Sequence, residues 1–258
     1  MNYFVEGLQG SGKSTLITKL SKLHPDYMPI REGEYSPVEL AWCAYLTIQE
    51  YQEVLAEFGS LRQQIEEKAH TEGNHVIVCY TKVMTEDSRF YQELEKHEIY
   101  NNRTSFDVFK KIILDRFRKW NGDGMIFECS LLQNIVEDLM LYRNASNDEI
   151  LSFYREIREA LEGKEFRILY LQARDIPGNL QTIRKERSDE NGNEVWFPMM
   201  LEYFDHCPSS MANGLSGEKA LLDHFAQRQE LELRICREIF PDQYVILHSK
   251  EYSDEDLA

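Results

Sequence analysis

The chain has 258 residues, with 29 Lys plus Arg against 45 Asp plus Glu and a formal charge of −16. That length suffices for one large α/β domain with a full hydrophobic core, and so acidic a surface repels phosphate backbones and anionic lipids, which argues against nucleic acid and membranes as partners. No apolar run approaches the ~20 residues that cross a bilayer.

Residues 2–6 form a short apolar run that reads as a strand. A glycine-rich segment from Gly7 to Thr15 follows, after which Leu16, Ile17, Leu20 and Leu23 recur at helical spacing. Residues 27–32 suit a second strand. Ser36 and Pro37 stand where helix starts favour them, and Val38, Trp42, Tyr45 and Leu46 follow as a stripe, which predicts a long helix running to near Phe58. Such an apolar helix would also suit a helix-to-helix contact in a homodimer. Residues 76–80 read as a buried strand, and Phe106, Phe109, Ile112, Ile113 and Phe117 as a helix stopped by the turn at 121–124. Residues 125–129 are then a strand leading into a helix with Leu131, Leu132, Ile135, Val136 and Leu139. Ser146 with Glu149 is a capping-box signature for a helix reaching about Leu161, with a strand at 167–172 behind it. Residues 184–193 are polar and charged and predict a mobile loop. A last helix from near Ser216 ends before Pro241, and a strand at 244–248 precedes an acidic tail expected to be disordered. The five cysteines, Cys43, Cys79, Cys129, Cys207 and Cys236, form neither a CxxC pair nor a zinc-site spacing, and no signal-like segment precedes the first strand, so reduced thiols in the cytoplasm are expected.

Strands alternating with helices argue for a mostly parallel sheet covered on both faces. Residues 7–14 match GxxxxGK[ST] in full, between a predicted strand and a predicted helix, which is the context that pattern needs. Glycines let backbone N–H groups close around phosphate oxygens, and the helix N-terminus adds the positive end of its dipole. Gly7, Gln9, Gly10, Ser11, Gly12, Lys13, Ser14 and Thr15 are therefore the candidate nucleotide ligands. Lys13 would reach the β and γ phosphates, and Ser14 would offer its hydroxyl to Mg²⁺. ATP and Mg²⁺ are the cofactors this implies; an ordinary glycine turn with an exposed lysine is the plain alternative. Glu128 ends a predicted core strand, the edge where ligands of open α/β sheets bind. It could hold the Mg²⁺ shell, act as general base, or cap the helix that starts near Ser130.

The run from Phe4 to Thr15, in which Glu6-Gly7 opens the loop, resembles the start of the thymidylate kinase and deoxynucleoside kinase branch of P-loop kinases. Ile126-Phe-Glu-Cys-Ser130 is similar to the strand end at which deoxynucleoside kinases carry Glu-Arg-Ser, with Cys129 standing where the family has arginine. Residues 32–42 resemble the family's acidic-Pro-Val-Trp segment, and Arg184 to Arg187 lie where it keeps an arginine-bearing lid. Length reads as a single domain over 1–258 carrying insertions, and the resemblance implies a three-layer P-loop fold. It also implies a nucleoside or nucleotide as acceptor, with Glu32 or Glu34 facing it.

Arg184, Lys185 and Arg187, beside Gly192, could close as a lid over about 184–195, bringing positive charge onto the transferred phosphate and excluding water; a solvated charged loop is the alternative. Trp42 and Tyr80 could line an acceptor pocket, though core packing is the default for each. Arg103 would serve the acceptor or pair on the surface, and Asn134 could point into the same cleft as Ser130. Residues 36–120 are thus expected to be a helical, acceptor-binding insertion. Together these features read as an ATP-dependent kinase of a small-molecule acceptor. The alternative from another class is an ATP-hydrolysing switch acting through a partner protein, for which the aromatic-rich region 38–120 could supply a surface.

Overall fold

The computed structural model describes residues 1–249 and 251–253; the acidic tail lies, from residue 254 on, outside the described residues. The chain divides into two compact units, one of Met1–Pro29 with Asn121–Ala258 and one of Ile30–Trp120. Elements are numbered in chain order.

In the first unit β1 (Asn2–Gly7) is buried along nearly its whole length, which requires cover on both faces. It pairs in parallel with β6 (Met125–Glu128) and with β7 (Phe166–Gln172), and β7 pairs in parallel with β8 (Tyr244–His248). With β2 (Met28–Ile30) outside β6, the five-stranded order is β2-β6-β1-β7-β8. Side chains alternate across this sheet. On one face Val5, Ile126, Leu169 and Leu171 pack against Leu16, Ile17 and Leu20 of α1 (Lys13–Leu23). On the other, Phe4 stacks on Phe127 at 4.9 Å and meets Phe166 edge-on at 5.5 Å. The hydroxyl of Tyr170 donates from that face to Glu232 of α11 (Gly217–Ile239) at 2.6 Å, and α7 (Asn147–Ala160) packs beside α11. Helices therefore cover both faces, as expected of a three-layer α/β fold.

The remaining helices of this unit, α6 (Gln133–Leu141), α8 (Ile176–Glu186), α9 (Trp196–Asp205) and α10 (Pro208–Asn213), gather near an apolar cluster that includes Leu8, Leu141, Ile183, Phe197, Phe204 and Cys207. The segment 184–193 is not wholly the loop expected from its composition: its first residues complete α8. Asp175 starts that helix, accepting from Gly178 N at 3.0 Å, with Pro177 in the first turn. Beyond Arg187 the chain turns back on itself through an antiparallel bridge between Ser188 and Glu194.

The second unit is not the helical insertion expected of residues 36–120. Three antiparallel strands, β3 (Ala44–Thr47), β5 (His75–Val78) and β4 (Ala69–Glu72), lie in that order. They are accompanied by α2 (Ile48–Glu57), α3 (Arg62–Glu67), α4 (Ser88–Glu95) and α5 (Phe106–Lys119). The long helix predicted from Ser36 to Phe58 does not form. Ser36 does cap a turn, its hydroxyl accepting from Val38 N and Glu39 N at 3.3 Å each, but Trp42 then adopts a left-handed φ of 63° that no helix tolerates. The helix starts later, at a capping box in which Glu50 N donates to Thr47 Oγ1 at 3.2 Å and Thr47 N donates to Glu50 at 2.7 Å. With the long helix gone, so is the feature that suggested a homodimer contact. Leu46, Val54, Phe58, Val78, Phe90 and Leu94 make this unit's own core. Among the described residues no helix is long and apolar enough to cross a membrane.

Candidate active site

β1 delivers the chain into the glycine-rich loop, and α1 takes it out. Gly7 has φ 136°, and a β-carbon there would lie 2.6 Å from the carbonyl oxygen of Leu171 on β7, so only glycine lets the loop leave the sheet at this point. Gly12 is left-handed at φ 94° at the N-cap of α1, and a β-carbon there would meet nothing within 4 Å: the mouth of the loop is open. No side chain caps α1, which leaves its first-turn amides available to an anion.

Lys13 is buried and folded back into the loop. Its ammonium donates to the carbonyls of Gly7 at 2.9 Å and Leu8 at 2.8 Å and to Oε1 of Gln133 at 2.8 Å, so all three of its protons have acceptors. Ser14 is exposed and donates its hydroxyl to Oε1 of Glu128 at 2.7 Å. Glu128 ends β6, and Cys129 after it sits at a left-handed φ of 59°, a conformation costing roughly 1–3 kcal/mol for a side chain of this kind. The amide of Cys129, donating to Val5 O at 3.1 Å, helps hold that turn.

This places a lysine, a serine hydroxyl and a carboxylate around one open loop at the centre of a parallel sheet. The fold is a three-layer α/β fold with the glycine-rich loop between its first strand and first helix. No family model matches the sequence, and no curated protein matches it either. Among solved structures, a deoxyadenosine kinase from M. mycoides with bound dATP is similar at 13% identity and a TM-score of 0.41, over 100% of this chain and 95% of that one.

Within the first unit, the cap of α6 falls to Glu6 rather than Glu128. The buried carboxylate of Glu6 accepts from Leu131 N at 2.7 Å and Gln133 N at 3.0 Å, so it positions the helix that carries Lys13's partner. Burial pushes the Glu6 pKa up to about 7, against those two hydrogen bonds. Gln9 is tied into the interior: its Oε1 accepts from Nη2 of Arg228 at 2.7 Å, and Nη1 of Arg228 donates to Glu137 at 2.7 Å. His224 adds a second contact to that carboxylate at 2.9 Å. Burial works against the Glu137 charge, but Arg228 and His224 outweigh it and hold its pKa at about 2. Thr15 is exposed in the first turn of α1, and Asn134 lies in the first turn of α6 with a buried Nδ2 that has no hydrogen-bond partner among the described residues.

Arg184 and Arg187 part company. Arg184, in the last turn of α8, forks onto Glu194 at 2.7 and 2.9 Å, reaches Glu218 at 3.0 Å and lies 3.9 Å over the ring of Phe197. Arg187 lies 5.2 Å over the ring of Trp196 and forms no ion pair among the described residues. In the second unit, the Trp42 indole N–H donates to Glu32 at 3.2 Å, which brings those two candidates together. Glu34 accepts from Arg31 N at 2.9 Å within its own turn. Tyr80 is buried with its hydroxyl on Glu98 at 2.6 Å, and Arg103 pairs with Glu95 at 2.6 Å.

Sequence reasoning passed over Glu6 and Arg228 as working residues. For Glu6 a signal existed, since a carboxylate in an otherwise apolar central strand must be satisfied by something. Arg228 carried only Glu232 four residues on; its partners Gln9 and Glu137 are 219 and 91 residues away.

Proposed function

We propose that the chain is an ATP-dependent phosphotransferase that moves the γ-phosphoryl group onto a small acceptor, with nucleosides and nucleotides favoured. The observation that carries this reading is the loop itself: open at Gly12, with Lys13 seated on its carbonyls and Ser14 hydrogen-bonded to Glu128 at 2.7 Å. Backbone amides of residues 9–14 would bind the phosphate oxygens. Lys13 would exchange its contacts with the loop carbonyls and Gln133 for the β and γ phosphates. Ser14 and Glu128 are hard oxygen donors that suit Mg²⁺, which when bound supplies charge neutralisation between the β and γ phosphates. Glu128 is also the candidate to take the acceptor's hydroxyl proton. Asn134, in the first turn of α6 with an amide nitrogen that has no hydrogen-bond partner among the described residues, would orient the acceptor.

Of the two lid candidates, Arg187 is the one without an ion pair among the described residues, and we assign it the transferred phosphate, with Arg184 bracing α8 to the segment after it. Catalysis would come from positioning and charge neutralisation. The test is ADP release from Mg²⁺-ATP across nucleosides, nucleoside monophosphates and hydroxylated antibiotics. One class should stimulate release, and Lys13→Ala should abolish the stimulation. Slow release indifferent to every acceptor would instead mark a nucleotide switch.

A further inference from the structure

The second unit contains a cleft of about 580 Å³ bounded by the turn between β4 and β5, by α5 and by residues 35–37. Its size falls within the range of small-molecule sites. Four of its walls are rings: Tyr35, Tyr45, His75 and Trp120. They are held in place by stacking, Tyr45 on His75 with centroids 4.3 Å apart and Tyr35 on His70 at 4.0 Å. Flat faces of this kind accept a flat ligand at little ordering cost.

The polar side of the cleft is unequal. Arg116, only 6% exposed, gives Nη1 to Glu72 and Nη2 to the carbonyl of Ser36, while its buried Nε–H has no hydrogen-bond partner among the described residues. Glu72 is fully engaged, since its other oxygen accepts from the Tyr35 hydroxyl at 2.6 Å, so the guanidinium is fixed in orientation. Lys111 is paired with Asp115 at 2.7 Å. Lys119, also lining the cleft, has no ion pair among the described residues. Within the cleft, Glu72 and Asp115 balance Arg116 and Lys111, and Lys119 leaves one positive charge over in a chain of net charge −16. A buried donor without an acceptor costs about 1–3 kcal/mol, and a ligand that supplies the acceptor recovers it.

We propose that this cleft binds a flat aromatic ring bearing one anionic group, the ring against the aromatic walls and the anion on Arg116 Nε–H and the Lys119 ammonium. The site stands on the second unit alone and does not depend on the phosphotransferase reading. Calorimetric titration of the full chain tests it. Indole-3-carboxylate should bind at one site per chain, whereas indole-3-methanol, the ring without the charge, and acetate, the charge without the ring, should not. Lys119→Glu, an exposed change, should weaken binding about tenfold or more. Arg116→Lys, which keeps a cation for Glu72 but deletes Nε–H, should do the same with the melting temperature checked alongside. Competition by adenosine 5′-monophosphate would identify the anion as a nucleotide phosphate, and failure to compete would identify a carboxylate. Absence of saturable binding by both ring-bearing anions at millimolar concentration would overturn the proposal, as would binding unaltered in the Lys119→Glu variant.

Discussion

Glu6 is fully buried with two helix amides on its oxygens, and burial still raises its pKa to about 7 from an ordinary 4.5. The folded state therefore holds that proton more tightly than the unfolded chain does. Its contribution to stability is fully present below about pH 4.5 and is lost as pH rises through about 7. Thermal melts of the Glu6→Gln variant should accordingly lose less stability than the parent chain between those two values and run parallel to it above about pH 8; parallel curves throughout would show that Glu6 titrates normally. Lys13, Ser14 and Glu128 were legible as individuals because a local pattern names the first two and a strand end exposes the third. Ser14 and Glu128 were expected together only as holders of one Mg²⁺, and Gln133 was not expected on Lys13; these contacts, across 114 and 120 residues, are set by which strands lie side by side.

Among elements, those with strong local signals came out where the sequence put them. The helix after Ser146 has its capping box, α5 starts at Ser105 with the stripe of Phe109, Ile113 and Phe117 buried, and β6 to β8 follow their apolar runs. The error in the second unit has a physical cause. Val38, Trp42, Tyr45 and Leu46 keep helical spacing by coincidence, whereas the alternation of buried Ala44 and Leu46 with more exposed Tyr45 and Thr47 is a strand's. Gly73-Asn74, the two-residue turn that makes β4 and β5 a hairpin, was the overlooked marker. At this scale α6 and α11 are pinned by Glu137 and Arg228, both deep in the first unit. Glu137→Gln removes one of the two carboxylates facing the buried Arg228, leaving Glu232 at 3.2 Å as its remaining ion-pair partner, and should cost about 3 kcal/mol in denaturant unfolding; a loss under about 1 kcal/mol would mean the pair is dispensable. The bracing and lid roles given to the two arginines of 184–187 separate in the same way. Arg184→Ala should lower the melting temperature through the lost fork to Glu194, while Arg187→Ala should leave it unchanged and reduce acceptor-dependent turnover by about 10²-fold. Equal turnover in Arg187→Ala and the parent chain would remove it from the site.

For the molecule as a whole, composition and one motif carried much of the fold: a strongly acidic α/β chain with a loop between its first strand and first helix. The division at Ile30 and Trp120 was harder to see, because no linker composition marks it and the second unit builds its core from residues spread between 44 and 94. The proposed function rests on the first unit's loop, and the fate of one phosphorus atom decides it. With ATP labelled at the γ position, Mg²⁺ and the acceptor that most stimulates ADP release, the label should leave on the acceptor and be lost altogether in Lys13→Ala. Label released only as inorganic phosphate, at a rate the acceptor does not change, would contradict phosphoryl transfer as the function of this chain.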